Sequence, residues 1–431
     1  MKVTKAERGD WLRYRVLFTA LMPLLAAYTA WQALQNRDGR YWRERFGRYR
    51  PGEPADVWLH AASVGEVHAA APLVKHLSLQ YPDQQLLVTT VTPSGARAVR
   101  DRLPASVRHA YLPLDRPRAV SAFLRRFRPR CGLIMETELW PCLFKACSEA
   151  DIPLAIVNGR LSLRTLDAAA WFRRLYGQCL ARTACVLARS ESDRLNYIRL
   201  GARPETARNV GNIKFAALEP DRPITPIELG RPYAVAASTR DGEEKAVVRA
   251  WRNAGRDDHL LVIVPRHPKR LATILRDLKG SRLAVRSRGE KIGVDTEIYI
   301  ADTFGELERF IAGAVLVFMG GSLVPKGGQN LLEPAAQGKA VIVGPHMENF
   351  QPETALLKEQ EAVCQVASEG ELAEAFRRLL QEPAIRQLMG EAARRTVQER
   401  RDIAERYLNE LEACLPEVFR RQDSPYFERA T

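Results

Sequence analysis

Residues 57–77 read VWLHAASVGEVHAAAPLVKHL. A short apolar run gives way to small residues and then to a carboxylate, Glu66, directly after Gly65. A helical pattern follows at once. A run of this length without polar alternation fits a strand buried on both faces, the kind found in parallel sheets. An acidic residue in the first turn of a helix is favoured by the macrodipole by about 0.3–1 kcal/mol, so helix stability alone can explain Glu66. A chemical role needs partners brought to it from other strand ends.

The same strand-to-helix unit recurs along the chain. After VWLHAAS come LLVTTVT, HAYLPL, GLIMET, LAIVNG, CVLARS and the weaker ARNVGN. Helical patterns such as AVSAFLRRF and WFRRLYGQCLA lie between them. Repeated βα alternation predicts an α/β fold with a mainly parallel sheet covered on both faces. Pro220, Pro223, Pro226 and Pro232 then crowd one stretch, which reads as an interdomain linker over 217–232. A second series follows: YAVAAST, LLVIVP, LAVRS, EIYIAD, VLVFMGG, AVIVGP and AVCQVA. The expected plan is an N-terminal segment 1–50, a first doubly wound domain 51–216, the linker, a second such domain 233–395 and a helical segment 396–431. Helical character runs from about Glu371 to Leu415 and is expected to pack across the domains. Two doubly wound sheets should face each other across a cleft. Ligands in such folds sit beyond the carboxyl ends of the strands.

The 431 residues suit two cores, and the formal charge of +14 favours an anionic partner such as nucleic acid, an acidic membrane face or a phosphorylated substrate. Seven scattered cysteines without a C-x-x-C spacing read as reduced thiols, not a disulfide frame or a zinc site. From Val16 to Leu34 no side chain is charged. As a helix this stretch spans roughly 28 Å, close to a bilayer's hydrocarbon thickness. Lys2, Lys5, Arg8, Arg13 and Arg15 precede it; Arg37, Arg40, Arg43, Arg45 and Arg48 follow. Basic residues on both flanks favour a helix in or along the cytoplasmic leaflet. A full span and a buried soluble helix are the competing readings.

Several strand ends carry chemistry. GLIMETELWP places Glu136 and Glu138 after one strand, and neighbouring carboxylates raise one another's pKa, as a proton acceptor requires. The pair could equally cap the helix that starts near Trp140. Lys214 follows the last run of the first series and could offset negative charge. In the second half, Ser238 and Thr239 precede a helix with Asp241, Glu243 and Glu244 in its first turn, and Arg266 and His267 follow LLVIVP. An arginine there suits a phosphate. Gly320–Gly321–Ser322, then Gly327–Gly328, lead into NLLEPAAQ. Glycines of this kind let backbone amides approach an anion at a helix start, although neither a Walker loop nor a GxGxxG is present. Glu333 could accept hydrogen bonds from a ribose.

The segments HAASVGEV, TTVTPSG, METELWP, NGRLS, GNIKF, STRDGEE, VPRHP, GELERF and GGSLVPKGGQNLLEPAAQGKAVIVGPHMENF resemble those of the 3-deoxy-D-manno-octulosonic acid (Kdo) transferases, in order over almost the whole chain. The resemblance implies a GT-B glycosyltransferase with two Rossmann-like doubly wound domains and an N-terminal membrane-associated helix. It implies an inverting transfer of Kdo from CMP-Kdo to the lipid A precursor (lipid IVA) at the cytoplasmic face of the inner membrane. Carried over by motif, Glu66 would be the general base, with Glu136 and Lys214 stabilising the transition state. Pro265, Arg266, Phe304, Gly305, Glu306, Asn330, Leu331, Leu332 and Glu333 would hold CMP. No cofactor beyond the donor and no metal is expected, since no Asp-x-Asp or His/Asp cluster stands at metal spacing. Gln329, Arg240–Asp241, Ala216 and Gly159 depart from the family's usual residues and leave fine specificity open. A GT-B enzyme with a UDP-sugar donor is the nearest alternative. A membrane-tethered nucleic-acid-binding protein fits the charge, but no nucleic-acid motif is present, so no nucleic-acid partner is expected.

Overall fold

A computed structural model describes residues 5–161, 163–218, 223–255 and 258–419. Lys2 of the basic flank and Pro220 of the proline-rich stretch lie outside the described residues. The chain forms two compact units, one from Met1–Ala217 with Asp402–Thr431 and one from Leu218–Arg401.

The first unit holds strands β1 (Val57–His60), β2 (Leu86–Thr90), β3 (Arg108–Tyr111), β4 (Cys131–Met135), β5 (Leu154–Gly159), β6 (Cys185–Ala188) and β7 (Ala207–Asn209). They form one parallel sheet in the order β3-β2-β1-β4-β5-β6-β7. The chain builds outward from β1 through β2 and β3, then returns to place β4 on the other side of β1. The order therefore reverses between β1 and β4, where His60 pairs with Ile134. A reversal of this kind opens a crevice beyond the strands' carboxyl ends, because the connecting helices diverge to opposite faces. Glu66 follows β1, and Glu136 and Glu138 follow β4, so the switch point brings these carboxylates to the same end of adjacent strands.

Packing fixes that pair of strands. Trp58 of β1 is fully buried, donates its indole N–H to Thr89 Oγ1 at 2.7 Å and meets Phe123 edge-on with ring centroids 5.0 Å apart. Gly132 of β4 makes room for the indole: a Cβ there would lie 2.8 Å from Trp58. The closing helix Ile403–Cys414 returns to this unit. Its Tyr407 donates to the carbonyl of Gly211 at 2.7 Å, bracing the turn that follows β7.

The N-terminal helix, Lys5–Gln35, lies along the first unit and is held near both ends. At the start, Arg174 donates to buried Asp10 at 2.8 and 3.0 Å, Trp11 donates to Gln178 at 3.0 Å, and the Tyr14 hydroxyl donates to Asp115 at 2.7 Å. Near its end Thr29 is buried and Ala33 packs on the cluster of Tyr41 and Tyr111. The opposite face leaves Leu12, Val16, Leu17, Leu21, Leu24 and Trp31 exposed. With exposed Tyr28 between Leu24 and Trp31, and adjacent Val16 and Leu17 counted as one step, these residues follow one another at three to five positions, which places them on one half of the helix.

The second unit holds β8 (Tyr233–Thr239), β9 (Leu260–Pro265), β10 (Leu283–Val285), β11 (Ile298–Ile300), β12 (Leu316–Met319), β13 (Ala340–Val343) and β14 (Val363–Gln365). Their order is β10-β11-β9-β8-β12-β13-β14, again all parallel, with the reversal between β8 and β12. Arg240 follows β8 and Gly320 follows β12, so they flank the second switch point.

Asp115 joins two elements of the first unit. Besides Tyr14 it accepts the amides of Cys142 and Leu143, each at 2.9 Å, and so caps the helix Pro141–Glu149. The capping that sequence alone could assign to Glu136 and Glu138 thus falls to Asp115. Asp115→Ala would leave those buried N–H groups and the Tyr14 hydroxyl unpaired, at a cost on the order of 3 kcal/mol. Denaturant titration should show that loss, with a smaller one for Asp115→Asn; an unchanged midpoint for Asp115→Ala would contradict the assignment.

Candidate active site

Glu66 occupies the first turn of the helix Val64–Gln80. Ser63 is the N-cap, and its Oγ accepts from the Glu66 amide at 3.4 Å. The carboxylate reaches back: one oxygen accepts the amide of Ala62 at 2.8 Å and the other the Ser63 hydroxyl at 3.0 Å. This is a capping-box arrangement, so the structural role that the sequence allowed is present. It does not account for the electrostatics. Burial, then the charge of Glu136 and that of Glu138, outweigh the two hydrogen bonds and raise the Glu66 pKa to about 7. An ordinary capping carboxylate, hydrogen-bonded in its charged form, would move downward instead.

The partners are held firmly. Glu136 sits at φ 53, in the left-handed region that a non-glycine residue seldom occupies. Its amide donates to the Val157 carbonyl at 2.9 Å and its carbonyl accepts the Tyr197 hydroxyl at 2.8 Å, which together over-determine that conformation. Lys214 Nζ lies 3.3 Å from Glu136 Oε1. Lys214 is presented by the turn Ile213–Ala217. Asn158, itself at φ 54 and fully buried, accepts the Ile213 amide at 3.1 Å, and Asn212 accepts the Lys214 amide at 3.0 Å. Glu138 accepts the indole N–H of Trp140 at 2.8 Å. Glu66, Glu136 and Lys214 are therefore brought to one end of one sheet. Asn158, which opens the NGRLS motif, supports them, as do Tyr197 and Tyr407, whose sequence surroundings do not mark them.

In the second unit, Arg266 is exposed at the end of β9, with its amide on the Thr239 carbonyl at 3.0 Å; Pro265 is buried. Arg240 donates to His267 Nε2 at 2.8 Å. Slight burial and then Arg240, Arg266 and Arg270 lower the His267 pKa, so the strand ends of β8 and β9 carry a cationic cluster around a neutral imidazole. Phe304 is exposed, and Gly305 turns at φ 81. Glu306 is engaged by Arg286 at 2.5 and 2.6 Å, which holds its carboxyl down at about 2. Asn330 Oδ1 accepts the Leu332 amide at 3.2 Å, and Asn330 Nδ2 donates to Glu333 at 3.0 Å. Burial raises the Glu333 pKa. Leu331 and Leu332 are fully buried, so at those positions the chain serves the fold, and Asn330 and Glu333 are the partly exposed residues of the segment.

The glycine segment differs from the sequence expectation. The amides of Gly321, Ser322 and Leu323 do converge on an anion, but it is the buried carboxylate of Glu243, at 2.6, 3.0 and 2.9 Å. Arg240 adds its amide at 2.7 Å. Gly320 allows the close approach of β12 to β8, since a Cβ would lie 2.6 Å from Thr239 Cα, and Gly321 turns at φ 69. Four charge-assisted bonds saturate this nest internally. The helix beyond it is short, Leu332–Ala336. The anion-binding capacity read from Gly320–Ser322 is thus spent on the fold, and side chains such as Arg266 and Arg240 are the cationic groups on offer at these strand ends.

Comparison with known proteins agrees with this geometry. Residues 40–217 match the family model for 3-deoxy-D-manno-octulosonic-acid transferase (kdotransferase). The chain is 32% identical over 424 residues to a 3-deoxy-D-manno-octulosonic acid transferase of Haemophilus influenzae, covering 93% of this chain and 99% of that protein. It is 34% identical over 408 residues to the corresponding transferase of Bordetella pertussis, covering 88% and 94%. In fold it resembles a glycosyltransferase of Rickettsia africae, with a TM-score of 0.62, 12% identity and coverage of 85% of this chain and 99% of that one. Two parallel α/β units of GT-B type, with a carboxylate cluster at the switch point of the first, thus coincide with extended similarity, and the chain belongs to the 3-deoxy-D-manno-octulosonic acid transferase family of glycosyltransferases.

Proposed function

We propose that this Kdo transferase takes its sugar from CMP-Kdo and delivers it to a lipid A precursor, lipid IVA, in lipopolysaccharide biosynthesis, with Glu66 as the general base. The observation that carries the reading is the gathering of Glu66, Glu136 and Lys214 at the end of adjacent strands β1 and β4, where burial and the neighbouring carboxylates raise the Glu66 pKa to about 7, near the working pH of a base. In the transfer, a Glu66 oxygen takes the proton of the acceptor hydroxyl as that oxygen bonds to the anomeric carbon of Kdo. The bond to the CMP phosphate breaks on the opposite side, and CMP leaves with the electron pair, so the configuration inverts. Glu136 and Lys214, paired at 3.3 Å, present a fixed charge pattern to the oxocarbenium-like transition state.

The donor half of the reading assigns CMP to the strand ends of the second unit. Arg266 offers a planar donor fork to the phosphate, beside buried Pro265. Exposed Phe304 offers a ring face next to Gly305 and Glu306, and the partly exposed Asn330 and Glu333 offer an amide and a carboxyl for the ribose. The acceptor half rests on the N-terminal helix. The window Arg8–Gln35 is apolar enough to cross a bilayer, yet the helix is held to its own unit near both ends, with an apolar face outward between them. Held at its two ends, with an apolar middle exposed, this helix supports a placement in the plane of the cytoplasmic leaflet of the inner membrane, with arginines at both ends near anionic headgroups.

Mass spectrometry of the lipid after incubation with CMP-Kdo and lipid IVA should show the mass of at least one added Kdo; no addition, together with stabilisation by UDP and not by CMP in thermal shift, would overturn the donor assignment. For Glu66→Gln, transfer should fall about 100-fold or more with CMP binding retained. The wild-type pH–rate profile should lose activity below about pH 7, as Glu66 becomes protonated. Near-normal turnover of Glu66→Gln would contradict the base assignment.

A further inference from the structure

The segment after β4 carries a second carboxylate, Glu138, which the transfer above leaves without a task. Its Oε2 accepts the Trp140 indole N–H at 2.8 Å and lies 3.9 Å from Nε2 of His60. His60 is the last residue of β1 and is fully buried. Its Nδ1 sits 3.1 Å from the Thr89 carbonyl oxygen and 2.9 Å from the Thr89 hydroxyl, while Nε2 has no hydrogen-bond partner. A buried ring nitrogen without a partner is costly, and it needs an explanation.

Nδ1 faces the Thr89 carbonyl oxygen, which can only accept, so Nδ1 carries a proton. Nε2 faces the Glu138 carboxylate at 3.9 Å, beyond hydrogen-bond distance. The indole N–H of Trp140 is the direct donor to that oxygen and favours the ionised form of Glu138. Burial pushes Glu138 upward, but the His60 ring and the Trp140 indole outweigh it and hold the carboxyl below its usual value.

Resting on the reading of Glu66 as base, we propose that Glu138 is a positioning residue for that base: an anion held by the Trp140 indole beside His60 at the β1–β4 switch point, whose charge adds to that of Glu136 in opposing the ionised form of Glu66. The charges acting on Glu66 are those of Glu136 and Glu138 from the end of β4; Lys214, from the turn Ile213–Ala217, pairs with Glu136, and His60, from β1, faces Glu138. Arg45, from the helix Gly39–Arg45, acts on Glu138. On the Glu66 helix itself, Arg102 from the helix Pro93–Arg102 acts on His68, and Glu412 from the closing helix meets Tyr81 just beyond its end. Removing the charge of Glu136 would also break its pair with Lys214, whereas the charge of Glu138 can be removed with that pair intact.

The test is the pH dependence of kcat/KM for the full-length wild type, Glu138→Gln and His60→Gln, with Glu66→Gln as reference. In Glu138→Gln the acidic limb should move down by about half a pH unit or more, because one of the charges opposing Glu66 ionisation is gone. Relative to its own plateau, that variant should then be about threefold more active than wild type at pH 6. His60→Gln should shift the limb the same way by less, since it only loosens the anion. A merely structural role would lower the plateau and leave the limb in place. Should Glu138→Gln be too slow to profile, infrared titration of the Glu66 carboxyl, taken as the difference from Glu66→Gln, supplies the same comparison. An unmoved limb or titration, with Glu66→Gln inactive, overturns the proposal and leaves Glu66 as base. Normal turnover by Glu66→Gln removes the reading on which it rests.

Discussion

Like charges crowded at the reversal of a parallel sheet are the constraint around which the first unit is organised. Glu66 leaves β1 and Glu136 and Glu138 leave the adjacent β4 at the same end. Three carboxylates cannot share such a place in water-like equality: Lys214 faces Glu136 and the Trp140 indole holds Glu138, while at Glu66 burial and these two neighbours outweigh its own hydrogen bonds to Ala62 and Ser63, so it carries the protonation difference. Each one-unit rise in that pKa corresponds to about 1.4 kcal/mol of discrimination against the ionised form. The fold bears this cost because the surrounding backbone is over-determined. Glu136 at φ 53 and Asn158 at φ 54 are held by Val157, Tyr197 and Ile213, and the turn bearing Lys214 is braced through Gly211 by Tyr407 of the closing helix.

The second unit solves the opposite problem at its own reversal. There an anion is buried within the protein, and four backbone amides around Glu243 fix the turn after β12 against the turn after β8. What remains at the neighbouring strand ends is side-chain cation, Arg240 and Arg266 around His267. A donor with one phosphate needs fewer such groups than one with two, which is in keeping with a nucleoside monophosphate sugar.

All fourteen runs read from the sequence became strands; the central ones are buried on both faces and read as short uninterrupted apolar runs, whereas the edge strands β3 and β7 carry exposed or partly exposed polar residues and were legible from their place in the alternation. The strand-end residues were legible for the same reason: once the alternation is seen, the residues after each run are the ones that reach the crevice. Two points were not. The fate of the Gly320–Ser322 amides depended on Glu243, about eighty positions away, and no local pattern says whether a nest serves a ligand or the fold. The capping of the helix Pro141–Glu149 fell to Asp115, which precedes it by some twenty-five residues. Long-range partners of this kind, with Asn158, Tyr197 and Tyr407, are set by tertiary packing and leave no periodic trace.

The most direct measurement is the titration of the Glu66 carboxyl itself, by carbon-13 NMR of glutamate-labelled protein with the resonance assigned by its loss in Glu66→Gln. A midpoint near 7 is expected in the unliganded enzyme. A midpoint in the ordinary glutamate range, near 4.5, would mean that the neighbouring charges and burial do not act on this side chain, and the central claim would fall.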